Sequence, residues 1–137
     1  MLTEDDVIDA VRDLLVERGW TIVARATAIQ RGHDLVAERQ GERVIVEAKG
    51  AGSSKQGTAR YGQVFSAGQV FDHVAKAILK ALRVAASGSD RAAVALPDNP
   101  HHRSEIAQVH EALDRVDVGV FWVTEVGTVK LEARWEV

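Results

Sequence analysis

Two short runs on either side of Gln40-Gly41 constrain this chain more than any other feature. Residues 33–39 and 43–49 have the alternating, β-branched character of strands, and the Gln-Gly pair between them signals a tight turn. A two-residue turn pairs Arg39 with Glu42, so opposed residue numbers sum to 81. Asp34 then stands opposite Glu47, and directly opposed residues share a face with Cβ atoms about 4.5–5.5 Å apart. Lys49, two residues past Glu47, joins that face. Leu35, Ala37, Val44, Val46 and Ala48 fall on the other face, which the core needs, so the first face is expected to present Asp34, Glu47 and Lys49. A three-residue turn would shift the register by one and dissolve the arrangement.

The remaining elements follow from caps and periodicity. Thr3 is an N-cap with Asp6 as its capping-box partner. Val7, Ile8, Val11, Leu14 and Leu15 then recur at helical spacing until Gly19. Residues 20–27 read as a strand in which Trp20, Ile22, Ala24 and Ala26 alternate with Thr21, Val23 and Arg25. Gly50, Gly52, Gly57 and Gly62 punctuate a loop, and a long helix follows over residues 64–86. An apolar strand at 92–96 closes at Pro97. Pro100 opens a third helix over 101–116, and strands at 118–124 and 128–135 form a hairpin around Gly127. The order α-β-β-β-α-β-α-β-β predicts an α/β class, one layered domain over residues 1–137 with helices packed on a mixed sheet.

Composition narrows the function. The 137 residues contain no cysteine, which excludes disulfide scaffolds, Cys-type zinc sites and thiol catalysis. No apolar run approaches the roughly 18 residues of a membrane span, and the acidic start MLTEDDVIDA is unlike a signal peptide, so a cytoplasmic protein with no membrane partner is expected. The net charge is −3, yet residues 49–83 carry six basic residues against one acid, a local +5 that leaves −8 for the rest. One basic face on an acidic body suits a polyanion such as nucleic acid; a solvated helix is the plain alternative.

The Asp34–Glu47 pair carries the chemistry. Opposed carboxylates repel, and a divalent cation removes the repulsion. Mg²⁺ takes a few carboxylate oxygens, keeps waters and binds substrate phosphates, and the backbone carbonyl of Ala48 can add a ligand. Such a metal polarises a phosphoryl oxygen and lowers the pKa of bound water. Lys49 would position the attacking water or offset charge on the phosphate. The competing reading is an ordinary surface cluster in which Lys49 pairs with Glu47.

Gly32-His33-Asp34 followed by Val44-Ile45-Val46-Glu47-Ala48-Lys49 resembles the PD-(D/E)XK nuclease superfamily, whose signature is an Asp on one strand and an apolar strand ending E-x-K. The likeness extends over residues 3–96 in the order of elements, with His33 where a Pro often stands. It implies a restriction-endonuclease-like fold, metal binding by Asp34 and Glu47, assistance by Lys49, and Mg²⁺ (or Mn²⁺) as cofactor. Some members add a carboxylate from the first helix, for which Glu4 is the candidate. Others carry a Gln on the helix after E-x-K, here Gln69, with an aromatic residue four positions on where this chain has His73. Gln69, His73, Lys76, Lys80 and Arg83 are spaced four, three, four and three, one stripe of a helix. That stripe, with Ser53, Ser54 and Lys55 in the loop, is the expected nucleic-acid contact, and Tyr61 belongs to the same loop.

Other motifs fail. His33-Asp34 lacks the further His ligands of a His-Asp phosphohydrolase, and GAGSSKQG is no P-loop. Ser66 lacks a nucleophile elbow. His102 and Glu105 fall on a helix read as surface, without an HExxH. Trp20, Trp122 and Trp135 are assigned to the core. The sequence therefore predicts a Mg²⁺-dependent deoxyribonuclease, structure-selective or weakly sequence-specific. Two-fold DNA substrates suit a homodimer, for which the late strands are one interface. The alternative is a non-catalytic nucleic-acid-binding or assembly module that keeps the fold.

Overall fold

A computed structural model of the chain describes residues 1–26, 32–52 and 62–137. Its elements run α1 (Glu4–Glu17), β1 (Thr21–Arg25), β2 (Leu35–Arg39), β3 (Glu42–Ala48), α2 (Ala67–Ser87), β4 (Arg91–Pro97), α3 (Pro100–Ala107), α4 (His110–Arg115), β5 (Val118–Val123) and β6 (Val129–Glu132). The strands form one six-stranded mixed sheet in sequential order β1 to β6. β3, β4 and β5 are parallel, and the other pairs are antiparallel. Parallel neighbours need a crossover; α2 provides it between β3 and β4, and α3 with α4 between β4 and β5. The α/β class predicted above is therefore observed, with one difference: the expected third helix is two. Val109, at φ −125° and ψ 3°, interrupts it, and no Gly or Pro marks the break.

Local chemistry sets the first half. Thr3 Oγ1 accepts from the Asp6 amide at 3.1 Å while Asp6 Oδ2 accepts from the Thr3 amide at 2.9 Å, a complete capping box. Gln40 (φ 51°) and Gly41 (φ 82°) both take the left-handed conformation of a type I′ turn. The register runs Arg39↔Glu42 to Leu35↔Val46, so the sum of 81 holds through the hairpin. β1 departs from strict alternation. A bulge between Ile22 and Ala24 shifts its register against β2, which leaves Ala24 exposed while Ala26 is buried.

The sheet is covered on both faces, as a sheet flanked by helices requires, so the face that carries Glu47 is packed beneath α2. α1 packs Val7, Ile8, Val11 and Leu15 against Leu35, Ala37, Val44, Val46 and Ala48. On the opposite face α2 packs Val70, Val74, Ala77, Ala81 and Val84 against Val36, Ile45, Val94 and Trp122. β5 is buried at every position and β4 at all but its first, the pattern of strands lined by helices on both sides. Trp20 and Trp122 are core residues. Trp135 is only half-buried, donating its indole N–H to the Asp117 carbonyl at 2.9 Å. Arg103 ties α3 to β6, pairing with Asp98 at 2.8 Å and Glu132 at 2.7 Å while lying 4.0 Å over the Trp122 ring.

His102, expected on a surface helix, is fully buried. Asn99 Oδ1 caps α3 by accepting from the His102 amide at 3.0 Å and lies 2.8 Å from His102 Nδ1. The amide oxygen can only accept, so Nδ1 carries the proton and Nε2, buried without a partner, is bare. Burial, with the charges of His101 and His73 behind it, pushes the His102 pKa down to about 4. The unfolded chain takes up that proton near pH 6.5, so the folded state is disfavoured as pH falls from 6.5 towards 4 and unaffected above. Stability should drop by about 2 kcal/mol between pH 7 and pH 5 from this group alone. Denaturant titrations of the parent and His102→Leu at both pH values check this; an equal pH dependence in the two proteins would remove His102 as its source.

Candidate metal and phosphate site

The candidate groups meet at the C-terminal end of β3, where ligands gather in open α/β sheets. Close backbone packing builds this corner. The Ala51 amide donates to the Leu2 carbonyl at 2.7 Å, and the Lys49 amide to the Ala95 carbonyl at 3.0 Å. A Cβ on Gly50 would stand 2.5 Å from the Glu4 nitrogen and 2.7 Å from the Thr3 carbonyl carbon. Glycine at position 50 therefore lets the start of α1 sit against the chain leaving β3. Glu4 comes close to Lys49 as a result, with Oε1 4.0 Å from Nζ.

Glu47 alternates with Ile45, so it points to the α2 face and is only 1% exposed. Its Oε1 lies 2.8 Å from His33 Nδ1, and its Oε2 is buried with no hydrogen-bond partner. Asp34 immediately precedes β2, and its Oδ2 accepts from the Ala48 amide at 2.8 Å. This bond holds Asp34 beside the end of β3 although it lies outside the paired strand. Burial first, then the negative charge of Asp34, raise the Glu47 pKa, opposed by the His33 hydrogen bond. Glu4 is raised in the same way, by burial and then by Asp34, with Lys49 acting against. Glu47 is thus no member of a solvated surface pair with Lys49, whose carboxylate neighbour is Glu4.

His33 is the contact that sequence periodicity did not single out as a site residue. It sits outside a regular strand, where neither alternation nor helical spacing applies. Its adjacency to Asp34, inside the hairpin that places Glu47, was the available signal.

α2 carries the remaining candidates. Lys76, Lys80 and Arg83 are exposed, while Gln69 and His73 are half-buried. The charge of Lys80 reaches both Glu4 and Glu47. His73 packs edge-on to Phe65 at 4.3 Å, and burial, followed by the charges of Lys49 and Lys76, lowers its pKa. The helix begins at Ala67, three residues later than expected, because Ser66 is its N-cap. Gln69 closes a capping box, its Oε1 accepting from the Ser66 amide at 2.8 Å. The expected role of Gln69 as a free orienting amide is thus narrowed to its NH₂ group. Ser53, Ser54, Lys55 and Tyr61 lie outside the described residues.

The donor set suits a hard cation in the minimal way. Asp34, Glu47 and the Ala48 carbonyl are oxygen donors, and Glu47 Oε2 is a carboxyl oxygen left without a hydrogen bond. Among the described residues no three His, Asp or Glu side chains converge on one ion. Mg²⁺ commonly makes do with one or two carboxylates plus water and substrate phosphate, so the residues fit Mg²⁺ better than a metal that needs a full protein cage.

No family model and no curated protein matches the chain. Among solved structures it is similar to SfsA of Pyrococcus furiosus, determined in complex with Ca²⁺, at 18% identity and a TM-score of 0.44. The alignment covers 93% of this chain and 59% of that one, so the chain spans about three-fifths of that protein's length. No helix among the described residues is long and apolar enough to cross a membrane.

Because the folded-state pKa of Glu47 is raised, the folded protein holds this proton to higher pH than the unfolded chain does. The group favours folding at low pH, and that contribution is lost as pH rises through the folded value. Glu47→Gln should therefore unfold at the same or a higher temperature than the parent at pH 7, with the gap narrowing towards pH 4. A variant less stable at pH 7 by more than about 1 kcal/mol would mean that the carboxylate is instead a net stabilising partner of His33.

Proposed function

We propose that the chain is a Mg²⁺-dependent nuclease hydrolysing DNA phosphodiester bonds, as its resemblance to PD-(D/E)XK enzymes implies. The observation that carries this reading is the buried, unpartnered Oε2 of Glu47, a carboxyl oxygen held beside the charge of Asp34. Desolvating a carboxylate without a partner is costly, and a bound divalent cation offsets that cost.

Asp34, Glu47 and the Ala48 carbonyl would hold the ion. Bound there, Mg²⁺ supplies Lewis acidity to a phosphoryl oxygen and a lowered pKa to a coordinated water. His33 fixes the Glu47 rotamer through the 2.8 Å contact, which leaves Oε2 for the site. Lys49, half-buried, offsets charge that builds on the phosphate. Glu4 holds the Lys49 ammonium near this position and adds a third carboxylate to the corner. The Gln69 NH₂ can donate to a phosphate oxygen without undoing the capping box. Lys76, Lys80 and Arg83 bind the DNA backbone, with His73 beside them, and Ser53, Ser54 and Lys55 extend the contact in the loop. A non-catalytic nucleic-acid-binding or assembly module is the second reading. It is favoured by the lack, among the described residues, of a three-group metal cluster and by the Lys49–Glu4 approach, which gives the ammonium a carboxylate neighbour within the chain.

Asp34→Ala and Glu47→Ala should each lower Mg²⁺-dependent cleavage of plasmid, single-stranded or branched DNA by at least about a hundredfold while the fold is retained. Lys49→Ala should reduce the rate more than the metal requirement. Undiminished cleavage by either purified carboxylate variant refutes the assignment. Absence of cleavage by the parent on every substrate, with DNA binding intact, selects the non-catalytic reading.

Because the whole chain is acidic, DNA affinity must come from the α2 patch and fall steeply with salt. In a cleavage-dead background, Lys76→Ala with Lys80→Ala should weaken binding across sequences. The slope of log affinity against log salt should become shallower by roughly one unit for each phosphate no longer neutralised. An unchanged slope would place the DNA elsewhere.

A further inference from the structure

α2 has a second exposed stripe that the proposed chemistry does not use. Phe71, Ala75, Leu79, Leu82 and Ala86 follow one another at intervals of four, four, three and four, the spacing of one helical face. Phe71 is 56% exposed, Leu79 52% and Leu82 37%, and the two alanines are exposed as well. At about 100° per residue, α2 divides into three faces. One packs on the sheet, one carries Lys76, Lys80 and Arg83, and the third is this apolar stripe.

We propose that the apolar face of α2 binds a second copy of the chain, with the two helices antiparallel about a two-fold axis beside Ile78 and Leu79. In that register Phe71 meets Ala86 of the partner subunit and Leu82 meets Ala75 of the partner subunit, so these two large side chains fill the space left by alanines while Leu79 packs at the axis. The charges fit the same symmetry. Asp72 is the one acid on α2 and flanks the stripe at one end; Arg83 flanks it on the same side at the other. Within one helix they are eleven residues, about 16 Å, apart and cannot pair. Across the two-fold axis, Asp72 and Arg83 of the partner subunit are offset by about 3 Å along the helix and lie on the same flank. A dipolar edge of this kind is complementary to itself only in antiparallel copies.

The charges also fix which way the sites face. The basic face adjoins the Asp72–Arg83 flank, so both copies present Lys76 and Lys80 on the same side of the dimer. The apolar face of a single helix is smaller than the roughly 800 Å² per partner of a standard interface. The dimer is therefore weak, and its population depends on concentration in the micromolar range.

Sedimentation velocity on the full chain from low to high micromolar concentration tests this. The parent should pass from monomer to dimer, and Leu79→Lys should stay monomeric with an unchanged thermal unfolding midpoint, because the side chain is exposed. Asp72→Arg and Arg83→Asp should each weaken dimerisation about three- to tenfold, and the two together should restore it. A parent that remains monomeric throughout overturns the proposal, as does a dimer that survives Leu79→Lys or a double exchange no better than the single ones. Neither result bears on the metal site, since cleavage and self-association are read separately.

Discussion

The burial of the Glu47 carboxylate is the constraint on which the rest of this structure depends. Moving an anionic oxygen out of water is unfavourable unless something replaces the lost hydration. His33 replaces it at Oε1 and nothing does at Oε2. The position is enforced from several directions at once. The type I′ turn fixes the register of β3 against β2, α2 closes over the face on which Glu47 lies, and β4 runs alongside with Val94 paired to it. The unfavourable solvation is therefore built into the backbone, and the parallel core beside it provides the stability that sustains it.

The same constraint explains why the neighbouring residues are what they are. Asp34 stays near because its carboxylate accepts from the Ala48 amide, and its charge then raises both Glu47 and Glu4. Three acids in one corner would destabilise a fold with no compensating cation. Lys49 and, farther off, Lys80 reduce that repulsion without removing it. Gly50 matters as much as any charged group. Without its close approach to the backbone of Thr3 and Glu4, the start of α1 and the end of β3 would separate, and Lys49 would lose its carboxylate neighbour.

Much of this was legible in the sequence where local chemistry decides. The Gln40-Gly41 turn determines its own register, and Thr3 with Asp6 specifies the start of α1. The tertiary consequences were harder to read. Alternation along residues 43–49 implied an open polar face, whereas the uninterrupted apolar runs at 92–96 and 118–123 carried the opposite message, a sheet covered on both sides. Ser66 and Gln69 form an S-x-x-Q capping signal that places the start of α2 correctly, a signal outweighed by the apolar Val64 and Phe65 just before it. The bulge in β1 and the break at Val109 have no local signature, because packing against neighbours produces them. His102 is buried by the docking of α3 against α2, which no pattern within residues 99–107 reveals.

The mixed sheet also imposes a sequence of events on the folding chain. β1, β2 and β3 are joined by antiparallel connections, and hairpins of this kind close on a microsecond scale. β3 meets β4 only after α2 has crossed the sheet, and β4 meets β5 only after α3 and α4 have done so. Such non-local pairings close more slowly because more chain must be ordered first. Asp34 and Glu47 thus come together on an early, wet hairpin, where water screens their repulsion. The docking of α2, which brings β4 beside β3, then dries Glu47. A divalent cation captured by the open hairpin would be enclosed by that step, so its presence would slow the release of the helix again.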